Sequence, residues 1–313
     1  MRSRSRIAAW VVGLTVTAVM ATLGCGGGGG TDSGIQLNAV AFGDGVFVAV
    51  GDSDRAFANP DGNGWTPFLT GAPALDGIAW SQRLGTFVAV GDGGAIVTST
   101  DGVNWAAQNS PTTFNLFGIA AADEGLIAVG DGGTILVSAD AVNWTQRDSG
   151  TDATLYGVAV GRAGTVIAVG AGATVLVSID AGVNWQVNSV AFPDVAIGDL
   201  KGIAYGTRGW VTVGEFGVIL HGETAATSTW NVIGAAILPD LNGVAFVQGN
   251  YTVLGDKGRI LTSPDGVTFT QVVSNSGQFL YGTAFGDGFY YVVGSGGRAL
   301  RSLDGAIYQD TKN

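Results

Sequence analysis

The chain has 313 residues, a net charge of −11, 53 glycines, one cysteine and one histidine. One cysteine excludes an internal disulfide framework, one histidine excludes a histidine-built zinc centre, and the acidic balance argues against nucleic acid or an anionic membrane surface as partner. Charged residues make up only 12% of the chain, so the surface has to be built largely from Ser, Thr, Asn, Gln and Gly.

Residues 1–24 read as a secretory leader. Arg2, Arg4 and Arg6 form a positive start, and residues 7–23 are an apolar run interrupted by Thr15, Thr17 and Thr22, somewhat short for a spanning helix. The run ends Thr22-Leu23-Gly24-Cys25, which resembles the bacterial lipobox, with Thr22 where that motif usually has Leu. The resemblance implies that Cys25 becomes the lipid-bearing first residue. The alternative is an ordinary leader cleaved nearby, which leaves an idle thiol. Gly26 follows the cysteine instead of Asp, which by analogy with lipoprotein sorting points to the outer membrane where a cell has one. Residues 25–36 are a Gly-rich tether, and about nine flexible residues reach at most about 30 Å. With the three leader arginines removed, 11 basic residues face 25 acidic ones, a net of −14 that suits solubility outside the cell.

Residues 37–313 repeat. Leucine, a variable residue and usually glycine open each of seven units, at Leu37, Leu75, Leu116, Leu155, Leu200, Leu241 and Leu280, a period near 40 residues. That period is the one expected of four-stranded propeller blades. In the most regular unit the pattern is LDGIAW, TFVAVGD, AIVTST and a fourth segment beginning at Asn104-Trp105, each bounded by Gly, Asp or Asn as hairpin strands are. The second segment is apolar on both faces, as a strand covered on both sides should be. Gly-Asp-Gly-Gly at 91–94 and 130–133 suits turns with positive φ. The fold expected is all-β, a seven-bladed β-propeller of four-stranded antiparallel blades. At its end, either residues 306–311 supply the last outer strand, or residues 33–36 pair there and clasp the ring.

Between the third and fourth segments stands a recurring Ser-x-Asp-x-Gly-x-x-Trp. It is complete at Ser178, Asp180, Gly182 and Trp185, and one residue shorter at Ser99, Asp101, Gly102 and Trp105. Variants carry Asp61 with Trp65, Asp140 with Trp144, Asp265 with Phe269 and Asp304 with Tyr308. The fifth unit has lost it and reads His221-Gly222-Glu223 before Trp230. These stretches resemble the Asp-box of sialidase-type (BNR) repeats, and the whole unit is similar to the photosystem II assembly-factor-like propellers. The resemblance implies the fold; it does not by itself imply an activity. An Asp two residues after Ser can accept backbone N–H bonds and hold a β-turn, and its repetition in nearly every unit assigns it to the turn, not to catalysis.

Catalytic machinery is not evident. His221 stands alone, with no nucleophile elbow or metal-ligand cluster beside it, and the glycine runs lie in hairpins with no following helix. No cofactor, metal or catalytic residue is expected. Sialidases grip the substrate carboxylate with three arginines, but the Arg-Ile-Pro signature is missing and only three Glu remain, Glu124, Glu215 and Glu223. One position varies where its surroundings do not: the residue after each opening leucine, namely Asn38, Asp76, Phe117, Tyr156, Lys201, Asn242 and Tyr281. If the first strands line a central channel, these seven ring one of its mouths and suit a sugar or a peptide loop; otherwise they are ordinary solvated positions. Long connections near 190–199 and 234–240 break the internal symmetry, as binding-face insertions do.

The expectation is therefore a monomeric, exported, lipid-anchored propeller at the bacterial envelope, touching the membrane only through its N-terminal lipid. It would bind or scaffold an envelope protein or a polysaccharide. The alternative is a glycoside hydrolase of sialidase-like type, which needs an acidic pair on facing strands.

Overall fold

The computed structural model describes residues 35–60, 64–188, 197–224, 230–234 and 239–311. These residues form seven antiparallel sheets of four strands, each sheet ordered in space as it is in sequence. The first strands are Leu37–Gly43, Leu75–Ser81, Leu116–Ala121, Leu155–Val160, Leu200–Gly206, Leu241–Val247 and Leu280–Gly286, and they begin blades one to seven. Each first strand adjoins the first strands of both neighbouring blades, and that of blade seven adjoins that of blade one. The chain is thus a closed seven-bladed propeller with its first strands innermost.

The core lies between the sheets. Seven clusters of buried side chains occur, each shared by two adjacent blades. Second strands are apolar on both faces because Phe87 and Ala89 pack toward blade one while Val88 and Val90 pack toward blade three. The opening leucine of each unit is buried against the blade before it, as Leu155 is among Ile127, Val129 and Ile135. The aromatic residue ending each unit's Ser–Asp stretch does the same from the rim: Trp105 covers the seam of blades one and two, Trp185 that of three and four, and Tyr308 that of six and seven. A four-stranded sheet with two apolar faces has no stability alone and depends on its neighbours. These aromatics precede the fourth strands, which start a residue or more later than the sequence pattern suggests, at Ala106–Ala107, Thr145–Arg147 and Gln186–Asn188.

Ring closure follows the first of the two alternatives. Gln309–Asp310 pairs with Arg298–Ser302 as the outer strand of blade seven; residues 33 and 34 lie outside the described residues, among which no strand is exchanged between the chain ends. Packing replaces it: Leu37, Val40 and Phe47 of blade one meet Ala284, Tyr291 and Val293 of blade seven. Trp65 stands edge-on to Tyr291, and Asn59 Nδ2 donates to the Tyr291 hydroxyl at 3.2 Å.

Two glycine positions of the repeat have separate causes. The glycine closing each second strand, such as Gly91, Gly130 or Gly294, has extended backbone. A Cβ there would overlap the carbonyl oxygen of the residue before the opening leucine: Ala74, Asn115 or Phe279. The glycine two residues later needs φ near +60°, as at Gly93 and Gly132, and faces open space or only loose contact. Blades five and six accept Phe216 and Lys257 there, both at φ +57°. Gly130→Ala is therefore expected to cost on the order of 3 kcal/mol by forcing strand and turn apart. Gly296→Ala, with nothing within 4 Å of its Cβ, should cost only about 1 kcal/mol for the left-handed backbone. Urea denaturation of the two variants, read as midpoint shifts, separates the two causes.

Candidate functional site

The Ser–Asp turns lie at one end of the blades. Ser99 pairs with Phe87 near the start of the second strand, beside the hairpin from the first. There Asp101 Oδ1 accepts from the backbone N–H groups of Val103 and Asn104, both at 2.8 Å, and from Ser99 Oγ at 3.0 Å. Its Oδ2 accepts from Asn104 Nδ2 at 2.7 Å, and Trp105 Nε1 donates to Gly102 O at 3.1 Å. Asp140 and Asp180 repeat the arrangement with Asn143 and Asn184, and Trp144 and Trp185 repeat the indole bond. Asp265 and Asp304 hold their turns through backbone N–H groups and the Ser263 and Ser302 hydroxyls, without the Asn amide. These donors hold the carboxyls well below the usual range, Asp180 and Asp265 at about 2. Such carboxylates are committed to their turns. Asp61 lies outside the described residues, as does Cys25 with the leader and most of the tether.

His221 is corrected by one position. Gly222 pairs with Trp210 and so stands where Ser99 does in blade two, while His221 sits inside the third strand opposite Val211. It is buried, its Nε2 lies 3.1 Å from Arg208 O, and it belongs to the packing of blade five.

The other end of the blades is the channel mouth with the variable positions. Here the turn between second and third strands is tied to the start of the first strand by one repeated bond. Asp92, Asp131, Glu215 and Asp256 donate their backbone N–H to the carbonyls of Ala74, Asn115, Asp199 and Asp240, at 2.9–3.0 Å. Asp52 does likewise to Gln36 at 3.1 Å. The residue before a leucine also reaches back to the preceding blade's turn: Asn115 Oδ1 accepts from Gly93 N, Asp199 Oδ1 from Gly172 N, and Asp240 Oδ1 from Phe216 N. Asp199 and Asp240 end the two long connections, whose described parts therefore arrive at this mouth; residues 189–196 and 235–238 lie outside the described set.

The seven variable residues meet in this collar, and most are not presented to solvent. Asn38, Asp76, Tyr156, Asn242 and Tyr281 are all at least nine-tenths buried, whereas Phe117 and Lys201 are partly exposed. Across the closing seam the Tyr281 hydroxyl donates to Gln36 Oε1 at 3.4 Å, and Gln36 Nε2 to Asn38 Oδ1 at 2.9 Å. Asn38 Nδ2 then donates to Asp76 Oδ1 at 2.9 Å. Phe117 and Tyr156 rings lie 5.7 Å apart, and the Tyr156 hydroxyl donates to Asp199 Oδ2 at 3.2 Å. Lys201 Nζ pairs with Asp240 Oδ2 at 2.8 Å, and Asn242 Nδ2 donates to Asp256 Oδ1 at 2.9 Å. Reading only the position after leucine misses the carboxylates. Their signal was the acid after the second-strand glycine, present at Asp52, Asp92, Asp131, Glu215 and Asp256.

Charge concentrates there. Burial, with Asp92, Asp131 and Asp52 nearby, raises Asp76 to about 7 against the lowering effect of Asn38. Burial, then Asp199, raises Tyr156 to about 12. Fewer basic residues stand at this end: Arg55 and Arg298 open third strands there and pair with Asp54 and Asp310, and Lys257 and Arg259 belong to the blade-six turn, whereas Arg83 donates to Ala139 O and Arg301 lies over the Phe289 ring. Among the described residues no three His, Cys, Asp or Glu side chains are placed to hold a metal ion. The mouth is thus an anionic collar edged by partly exposed aromatics, including Phe216 and Phe279, and such a surface attracts cations and stacks on planar groups.

Asp76 carries a pH signature. Folded, it keeps its proton up to about pH 7; unfolded, it loses it near the ordinary carboxylate pKa of about 4. The folded state binds the extra proton between those values, so this residue makes stability fall as pH rises through that window. Asp76→Asn, which retains an acceptor for Asn38, should flatten the slope and stabilise the protein by on the order of 2 kcal/mol at about pH 8. Chemical denaturation of both proteins across that range checks it.

Comparison with known proteins bears on the fold. Residues 29–155 match the DUF6242 beta propeller domain. No curated protein sequence matches the chain. The solved structure "YCF48 bound to D1 peptide" superposes with a TM-score of 0.67 at 16% identity, over 91% of this chain and 97% of that one. YCF48 from Cyanidioschyzon merolae gives 0.58 at 16%, over 74% and 83%. PorZ of Porphyromonas gingivalis, described as a bacterial surface component of the type-IX secretion system, gives 0.62 at 12%. It covers 94% of this chain but only 39% of PorZ. The chain is a seven-bladed β-propeller similar in structure to YCF48, the photosystem II assembly factor.

Proposed function

We propose that the protein is an exported, lipid-anchored binding module that receives a segment of an envelope protein at the collared mouth. One observation carries this reading. The seven symmetry-breaking positions and the ends of both long connections, Asp199 and Asp240, share that mouth. The carboxylates Asp52, Asp92, Asp131, Glu215 and Asp256 around it favour a partner segment bearing Lys or Arg, and Phe117, Phe216 and Phe279 give that segment aromatic surface to lie on. That YCF48 has been solved with a D1 peptide, and that PorZ is a bacterial surface component, supports a polypeptide partner outside the cytoplasm. A polysaccharide is the alternative ligand. The anchor is assigned to Cys25, with residues 26–34 as tether; Ile35 and Gln36 already pack with the propeller.

A second reading has one observation in its favour. A carboxyl held protonated near neutrality, as Asp76 is, is the kind of group a glycoside hydrolase uses as acid. Turnover of a fluorogenic glycoside by the purified protein, abolished in Asp76→Asn, would replace the binding reading.

Two measurements test the proposal. Crosslinking in envelope extracts should capture a partner whose recovery falls at least about tenfold in Phe216→Ala/Phe279→Ala and declines as salt is raised. Recovery unchanged by both would place the partner elsewhere. Cys25→Ser should move the protein from the membrane fraction to the soluble one, and retention in the membrane would remove the lipid anchor.

A further inference from the structure

On the opposite face from the mouth, the seam between blades three and four holds a cavity of about 390 Å³. Its origin is a break in the repeat. Five blades place an aromatic pair where the first strand turns into the second: Phe42 with Phe47, Trp80 with Phe87, Tyr205 with Trp210, Phe246 with Tyr251 and Phe285 with Tyr290, all with centroids 4.6–4.8 Å apart. Three of the first-strand aromatics lie flat over the glycine ending the previous blade's first strand, as Trp80 does over Gly43, Phe246 over Gly206 and Phe42 over Gly286. Blade four, whose pair would face this seam, has Val160 opposite Val166 instead. Two aliphatic side chains stand where two rings stand elsewhere, and the accessible apolar wall is Val137, Val160 and Val183.

One cation adjoins that aliphatic wall. Arg147, on the outer strand of blade three, lines the cavity, and its Nε is buried with no hydrogen-bond partner. The acids at the same cavity do not answer it. Asp140 is held by its own turn through Val142, Asn143 and Ser138, and Glu124 stands exposed on the hairpin at the rim, with no ion pair to Arg147. A buried guanidinium N–H left unpaired is costly, and a carboxylate is the acceptor whose geometry matches it. The volume lies at the small end of the range for small-molecule sites, too small for the surface of a folded partner.

We propose that this cavity is a binding site for a free aliphatic carboxylate of medium chain length, its chain against the valines and its carboxylate on Arg147. The site is independent of the mouth, so either can fail without the other. Decanoate, titrated calorimetrically into the full chain, should bind with one site per chain, and decanol should bind more weakly. Arg147→Gln should weaken decanoate by about tenfold or more, the worth of one charge-assisted bond, and leave decanol unchanged. Val160→Phe, which restores the ring found in other blades, should abolish binding of both; a thermal melt shows whether it folds, and Val160→Leu is the milder filling variant if it does not. Absence of decanoate binding, equal affinity in Arg147→Gln, or undiminished binding to a folded variant with the cavity filled would each overturn the proposal.

Discussion

Everything in this molecule depends on the seam between neighbouring blades. No sheet here owns a core: each contributes half of two, and the opening leucines, the second strands and the rim aromatics all serve the shared volume. Dispersion and hydrophobic burial scale with contact across these seams, so a blade is stable only when flanked on both sides. Ring closure is the same requirement applied to the first and last blades. It is met by Phe47, Tyr291 and Trp65, which pack across the closing seam.

That constraint divides the repeat into positions that cannot vary and positions free to do so. The Ser–Asp turns show the first kind. Their carboxylates are saturated by local N–H donors, which is why an acid repeated around the ring stays ionised without acting on anything beyond its own turn. The channel mouth shows the second. Its residues face neither seam, and they exchange hydrogen bonds with whatever the neighbouring blade offers, so Asn, Asp, Tyr and Lys are each accommodated by a different partner. Burying Asp76 among other carboxylates costs stability as pH rises toward neutrality.

The lower face gives the contrasting case, in which symmetry is broken by subtraction. Replacing the aromatic pair by Val160 and Val166 preserves the apolar character of the seam but not its volume. Close-packed interiors do not relax fully around such deletions. Space and an unpartnered guanidinium therefore occur together at one seam among the seven.

Blade number, strand order and the starting leucines were legible in the residues alone, because they are set by period and local chemistry. Leucine must fill a seam, glycine must pass under a carbonyl, and Asp after Ser must close a turn. Distances between units were not legible, and they decided the rest. Only the closed ring brings Tyr281 to Gln36 and Asn38 to Asp76, more than two hundred and about forty residues apart in the chain, and only that proximity buries the carboxyl and raises it to about 7. The place of His221 inside the third strand was not legible for the same reason, since strand register is set by pairing across the sheet and not by a motif already lost. Local pattern determined what each blade is; packing around the axis decided which of its residues meet.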